Sequence, residues 1–196
     1  MKWIVIAIIA LVAPYTYLTL HFRKPGPAYR PYEDFVKRAN VERLLAAGYR
    51  RINTLAERPS DPQRVAKTLG ATAIVTDAPG GLPAGLAATF VETPLLPRAF
   101  QSVSAPREAA ALLPYTILFN CTLANQKEQL GGSQMFIRHD TLVIIPQFEP
   151  IRGGLIARTN ESAVTITVPA GTLKSGRYTI ILAASQRSKQ WTVEVK

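Results

Sequence analysis

The sequence predicts an α+β protein with an N-terminal transmembrane helix, a small α/β segment containing a βαβ unit, and a C-terminal antiparallel β-sandwich. Three observations lead there. Trp3 to Leu20 is eighteen residues without a charge, fifteen of them hydrophobic. Residues 49–76 read strand, helix, strand, and residues 115–196 break into short alternating segments separated by turn residues. The 196 residues are 47% hydrophobic and 18% charged, too apolar for disorder and enough for one or two small domains. The boundaries that follow are 1–22 for the anchor, 23–31 for a proline-rich spacer, 32–113 for the α/β domain and 114–196 for the sandwich.

As a helix, Trp3 to Leu20 would reach roughly 27 Å, about the depth of a bilayer core. Cleavage as a signal peptide is disfavoured, because a cut after Ala13 would place Leu11 at the minus-three position and Pro14 just beyond it. A single-pass, uncleaved signal anchor in the lipid bilayer is therefore expected. Lys2 precedes the segment, whereas Arg23, Lys24, Arg30, Lys37 and Arg38 follow it. Counted strictly, the positive-inside rule puts the C-terminal bulk in the cytoplasm. A short Lys-bearing head running straight into an apolar stretch instead resembles an export signal without its cleavage site, and the expected placement is extracytoplasmic. Residues 1–70 carry 12 Lys/Arg against 5 Asp/Glu, so basic charge concentrates near the apolar end. With 8% aromatic residues and no recognisable module, nucleic acid is not an expected partner.

In the spacer, Pro25, Pro27 and Pro31 favour an extended chain. Tyr32 to Ala47 reads as helix, ended by Gly48. Tyr49 to Ala56 suits a strand; Asp61 and Pro62 are an N-cap and a first-turn proline for a helix with Val65, Ala66 and Leu69 on one face, stopped by Gly70. Ala71 to Thr76 completes the βαβ reading as a buried strand. Gly80, Gly81 and Gly85 follow, and glycines after a strand invite a phosphate-loop reading. Neither nucleotide-binding pattern is present, and Pro79 and Pro83 remove amides such a loop would use, so these glycines are expected to form a structural turn. Ala87 to Glu92 reads as a further strand and Ala105 to Leu113 as a short helix capped by Ser104.

From Tyr115 onward, strands are expected at 115–123, 134–138, 141–145, 155–158, 163–168, 177–182 and 190–195, with Gly131-Gly132, His139-Asp140, Gly153-Gly154 and residues 185–189 as turns. Val164, Ile166 and Val168 share one face; so do Tyr178, Ile180 and Leu182, and Trp191, Val193 and Val195. The run PAGTLKSGRYTIIL, with Leu173, Gly176 and Tyr178, followed by QWTVEV, resembles the final strands of immunoglobulin and fibronectin type III-like sandwiches, including their tyrosine corner. The resemblance covers about the last forty residues, lacks the paired cysteines and early core tryptophan, and implies an Ig-like sandwich that serves as spacer or binding surface, outside the cytoplasm in tethered proteins.

A single cysteine excludes an internal disulfide and a multi-cysteine zinc site. Cys121 inside a strand reads as a small buried hydrophobe. A nucleophilic role would require His139, with Asp140, to lower its pKa. Asp77, Glu92, Glu108, Asp140, Glu149, Glu161 and Glu194 are scattered, with no pair at a catalytic or metal-ligating spacing. No catalytic, cofactor-binding or metal-ligating residue is assigned, and no cofactor is implied. The expectation is a non-enzymatic binding or scaffold protein of the cell envelope with a protein partner. Its alternative is a tethered hydrolase using Cys121 and His139 where the two folded parts meet.

Overall fold

The structure, a computed structural model, describes residues 2–22, 31–151, 153 and 155–196. The chain divides into two compact units, residues 1–37 and 38–196. The spacer assigned to 23–31 lies outside the described residues except for Pro31, which opens a helix.

In the first unit, α1 (Lys2–Phe22) forms where the apolar run predicts a helix. Its assignment as a transmembrane span is corrected: among the described residues no helix is long and apolar enough to cross a membrane. The aliphatic run from Ile4 to Ala13 is ten residues, about 15 Å of helix against a hydrocarbon core of about 30 Å. Pro14 and then Tyr15, Thr16, Tyr17 and Thr19 follow, and the Thr16 and Thr19 hydroxyls donate to the carbonyls of Val12 and Tyr15 at 2.8 and 2.7 Å. The single-pass signal anchor goes with the span, and the extracytoplasmic placement, drawn from the Ig-like resemblance of a tethered C-terminal part, goes with the tether.

The second unit is built around a closed barrel, which replaces the expected Ig-like sandwich. Its elements are β1 (Arg50–Glu57), α3 (Pro62–Thr68), β2 (Thr76–Pro79), α4 (Ala84–Ala87), β3 (Ala99–Ser104), β4 (Glu108–Ala109), β5 (Tyr115–Thr122), β6 (Glu128–Arg138), β7 (Thr141–Pro150), β8 (Glu161–Val168), β9 (Gly176–Leu182) and β10 (Arg187–Val195); α2 (Pro31–Ala46) precedes them. Eight strands follow one another as β1-β6-β7-β9-β10-β3-β5-β8 and return to β1. Six pairings are antiparallel; β7–β9 and β10–β3 are parallel. The β10–β3 seam holds only the pair Arg187 and Ala99, and β2 and β4 lie along β10 beside it.

Alternating apolar residues bury one face of a strand in a sandwich and in a barrel alike, so the pattern does not distinguish them. Pairing does. β1 and β3, from the portion read as a separate α/β segment, are staves of the same barrel between strands of the C-terminal portion. The βαβ unit is not formed, because β1 pairs with β6 and β8 whereas β2 pairs with β10. Residues 87–92 and 155–158 are not strands, and 105–113 holds the two-residue β4 instead of a helix. Pro106 and Pro114 flank that stretch, and the backbone of 107–111 bonds to Ala71 and Lys196 rather than to itself.

The barrel interior is filled. Ile117, Phe119 and Cys121 of β5, Met135 and Ile137 of β6, Leu142 and Ile144 of β7, Val164 and Ile166 of β8, Ile180 of β9 and Trp191 of β10 form one buried cluster. Phe100 meets Phe119 edge-on at 5.2 Å, a geometry the ring quadrupoles favour. β6 and β7 also bury apolar residues on their outward faces. Phe136, Val143 and Ile145 point outward into a second cluster covered by Leu44 and by Leu82 to Leu96, which includes α4.

β9 stops pairing with β7 at Ile144. Ile144 accepts from the Ala183 amide on that side, so alternate residues Pro146 and Pro150 face the same open edge without N–H groups. Prolines there block addition of a further strand.

Candidate functional site

The residues singled out in the sequence are not brought together. Cys121 is fully buried inside the barrel, and its thiol donates to the Ser162 carbonyl at 3.5 Å. Burial pushes that thiol up to about 12, opposed by the positive charge of Arg58. His139, at φ 55°, and Asp140 make the β6–β7 hairpin turn. β8 and β1 stand between β5 and β6, and the registers place Cys121 toward the Glu128 end of β6, opposite the hairpin. A Cys121–His139 dyad is therefore not assembled.

An unfolded thiol ionises at about pH 8.5, whereas burial pushes Cys121 up to about 12. Between those values the unfolded state holds fewer protons, so stability falls as pH rises, by about 1.4 kcal/mol per unit at most. Cys121→Ala should flatten this alkaline slope in denaturant titrations between pH 8 and 11. Native protein should leave an aromatic disulfide reagent unconsumed at pH 8 until guanidinium is added. Rapid stoichiometric reaction without denaturant would contradict the burial.

The glycine loop is structural. Gly81 N–H donates to the Ala184 carbonyl at 2.7 Å, and Gly80 lies against the backbone of Ser185 and Gln186. β2 before it is clamped to β10 by Asp77, whose carboxylate meets Lys189 Nζ at 2.6 Å and Arg187 at 3.7 Å. The Lys189 hydrogen bond holds the Asp77 carboxyl below its ordinary value.

The surface features that could meet a ligand flank α3. Asp61 caps α3, its carboxylate accepting from the Arg64 amide at 3.1 Å, and Pro62 fills the first turn. The helix packs on β5, where the outward Leu118 is buried. On one side the β1–α3 connection and β8 enclose a groove of about 430 Å³ lined by Arg58, Ser60, Asp61, Arg64 and Thr165, with Glu57 and Val65. Arg58 and Arg64 make no side-chain hydrogen bond or ion pair among the described residues. Thr165 Oγ1 is buried without a protein partner. On the other side a groove of about 370 Å³ is lined mostly by apolar residues, among them Leu69, Pro106, Ala110, Leu113 and Pro114.

Two further polar atoms are buried without partners, Ser162 Oγ and Glu128 Oε2; the other Glu128 oxygen accepts from Asn125 at 2.9 Å. Sequence reasoning missed Arg58, Arg64, Thr165, Ser162 and Glu128. Arg58 and Arg64 sit on a loop and a helix turn without a motif, and Thr165 occupies the outward phase of β8, which joins the groove only once β8 pairs with β1. Glu128 enters the interior only because β6 carries a bulge between Leu130 and Gly132, which shifts the phase of the strand. Among the described residues no group of three or more His, Cys, Asp or Glu could hold a metal ion. No protein-family model, no curated protein and no solved structure matches the chain.

Proposed function

We propose that the protein is a non-enzymatic binding module that contacts a protein partner through the groove between the β1–α3 connection and β8. The observation that carries this reading is the packing of the barrel. Phe119, Met135, Ile117, Ile144 and Ile166 are fully buried within it, so recognition falls to the outer surface. Small barrels with filled interiors work through their loops and outer faces. Addition of a partner strand at the β7 edge is disfavoured by Pro146 and Pro150, and the Cys121–His139 geometry offers a hydrolase nothing. The groove beside α3 supplies unpaired cationic donors.

A photo-crosslinking residue placed at Ser60 of the full chain, in its native host, should yield one discrete adduct. That adduct should be lost in an Arg58→Ala, Arg64→Ala background. The same photoprobe at Glu149 on β7 should yield none. Absence of an adduct at Ser60, or the same products from both positions, would remove this function.

A further inference from the structure

We infer that the groove beside α3 receives a carboxylate, the side chain of an acidic residue on the protein partner; the inference rests on the binding role proposed for the same groove. Arg58 and Arg64 line it six positions apart, one before the helix and one in its first turn. A guanidinium presents paired N–H donors in a plane that matches a carboxylate. Neither side chain is engaged within the described residues. Both arginines are exposed, so their guanidinium groups are open to a ligand arriving from solvent. Thr165 forms part of the lining, its Oγ1 buried and unpartnered. A rotation about χ1 supplies a hydroxyl donor to a group seated above it.

Charge decides between oxyanions. Glu57 and Asp61 line the groove with the two arginines, so its formal charge is balanced. Doubling the anion's charge doubles its attraction to the arginines and its repulsion from the carboxylates alike, whereas the cost of taking it out of water grows faster than its charge, so a balanced groove favours the monoanion. The partner's acidic side chain is the ligand that fits.

The test is an NMR titration of the ¹⁵N-labelled full chain with N-acetyl-glutamate methylamide, its neutral glutamine counterpart, and inorganic phosphate. The glutamate compound should shift the amides of residues 58–65 and Thr165 saturably in the millimolar range; the glutamine compound should not. Arg64→Ala should weaken binding about tenfold. Thr165→Val should also weaken it severalfold while leaving the melting temperature unchanged or higher, since it removes an unpaired buried hydroxyl. A purely structural threonine would lose stability and leave affinity alone. Equal shifts with the glutamine compound, unchanged binding in the Arg58→Ala, Arg64→Ala variant, or phosphate binding more than tenfold tighter than glutamate would each overturn the carboxylate assignment. An adduct at Ser60 alongside no glutamate binding would overturn this inference and leave the binding role standing.

Discussion

Gly80→Ala should destabilise the protein by about 3–5 kcal/mol, lowering its melting temperature by roughly 10 °C. A Cβ built on Gly80 would lie 2.6 Å from the Ser185 carbonyl oxygen and closer still to the Gln186 carbonyl. These are backbone atoms, and the approach is fixed on both sides. Gly81 N–H donates to Ala184 at 2.7 Å, while Ser185 and Gln186 N–H donate to Pro97 and Arg98 at 2.8 and 3.0 Å. Moving any of them opens the region where β2, β3 and β10 meet, which the Arg187–Ala99 pair alone joins in parallel register. Gly85→Ala is the control, because its Cβ would meet only the far ends of Arg138 at 3.3 Å and Tyr49 at 3.4 Å. Flexible tips can give way, and that variant should lose less than about 1 kcal/mol. Equal melting temperatures for the two variants would show that Gly80 is not a close-approach position.

The contrast between these glycines shows what a sequence can carry. Gly80 and Gly85 look alike in the chain, and only the fold places one against backbone and the other beside side-chain tips. Gly131 and Gly132 read as a turn between strands, yet they form a bulge inside the eleven-residue β6, with Gly132 at φ 146°. Local signals did better where the physics is local. The Asp61 cap and Pro62 place α3 because both act within one helical turn. The alternation at Val164, Ile166 and Val168 places β8, and His139-Asp140 places a hairpin turn. Barrel closure was not legible, because it depends on β1 and β3 crossing an assumed boundary to pair with β6, β8 and β5. The candidate site was illegible for the same reason. Thr165 and Arg58 become neighbours of one groove only after β8 and β1 pair, with Glu57 opposite Thr165.

The other large effect is expected at Trp191, where Trp191→Ala should cost about 3–5 kcal/mol by opening a cavity in a filled barrel. Trp191 is 2% exposed; its indole N–H donates to Tyr115 Oη at 3.1 Å, and Tyr115 Oη donates to the Pro106 carbonyl at 2.9 Å. Burial pushes the Tyr115 hydroxyl well above its ordinary pKa, so it stays a donor throughout the stable pH range. The relay runs from the core to Pro106, whose backbone bridges to Thr72 beside β10. It therefore joins the interior to the stretch that leads into β4, which pairs with β10 only at Glu194 and Val195. Tyr115→Phe orphans both the indole N–H and the Pro106 carbonyl, and should cost about 2–3 kcal/mol. Trp191→Phe leaves the Tyr115–Pro106 bond in place and loses mainly volume. Because each single variant breaks the same N–H to oxygen bond, the Tyr115→Phe, Trp191→Phe double variant should lose about 1 kcal/mol less than the two separate losses combined. Additivity within about 0.3 kcal/mol in denaturant titrations would mean that the two rings merely pack. The barrel would then be held at this point by burial alone, without the hydrogen-bonded relay.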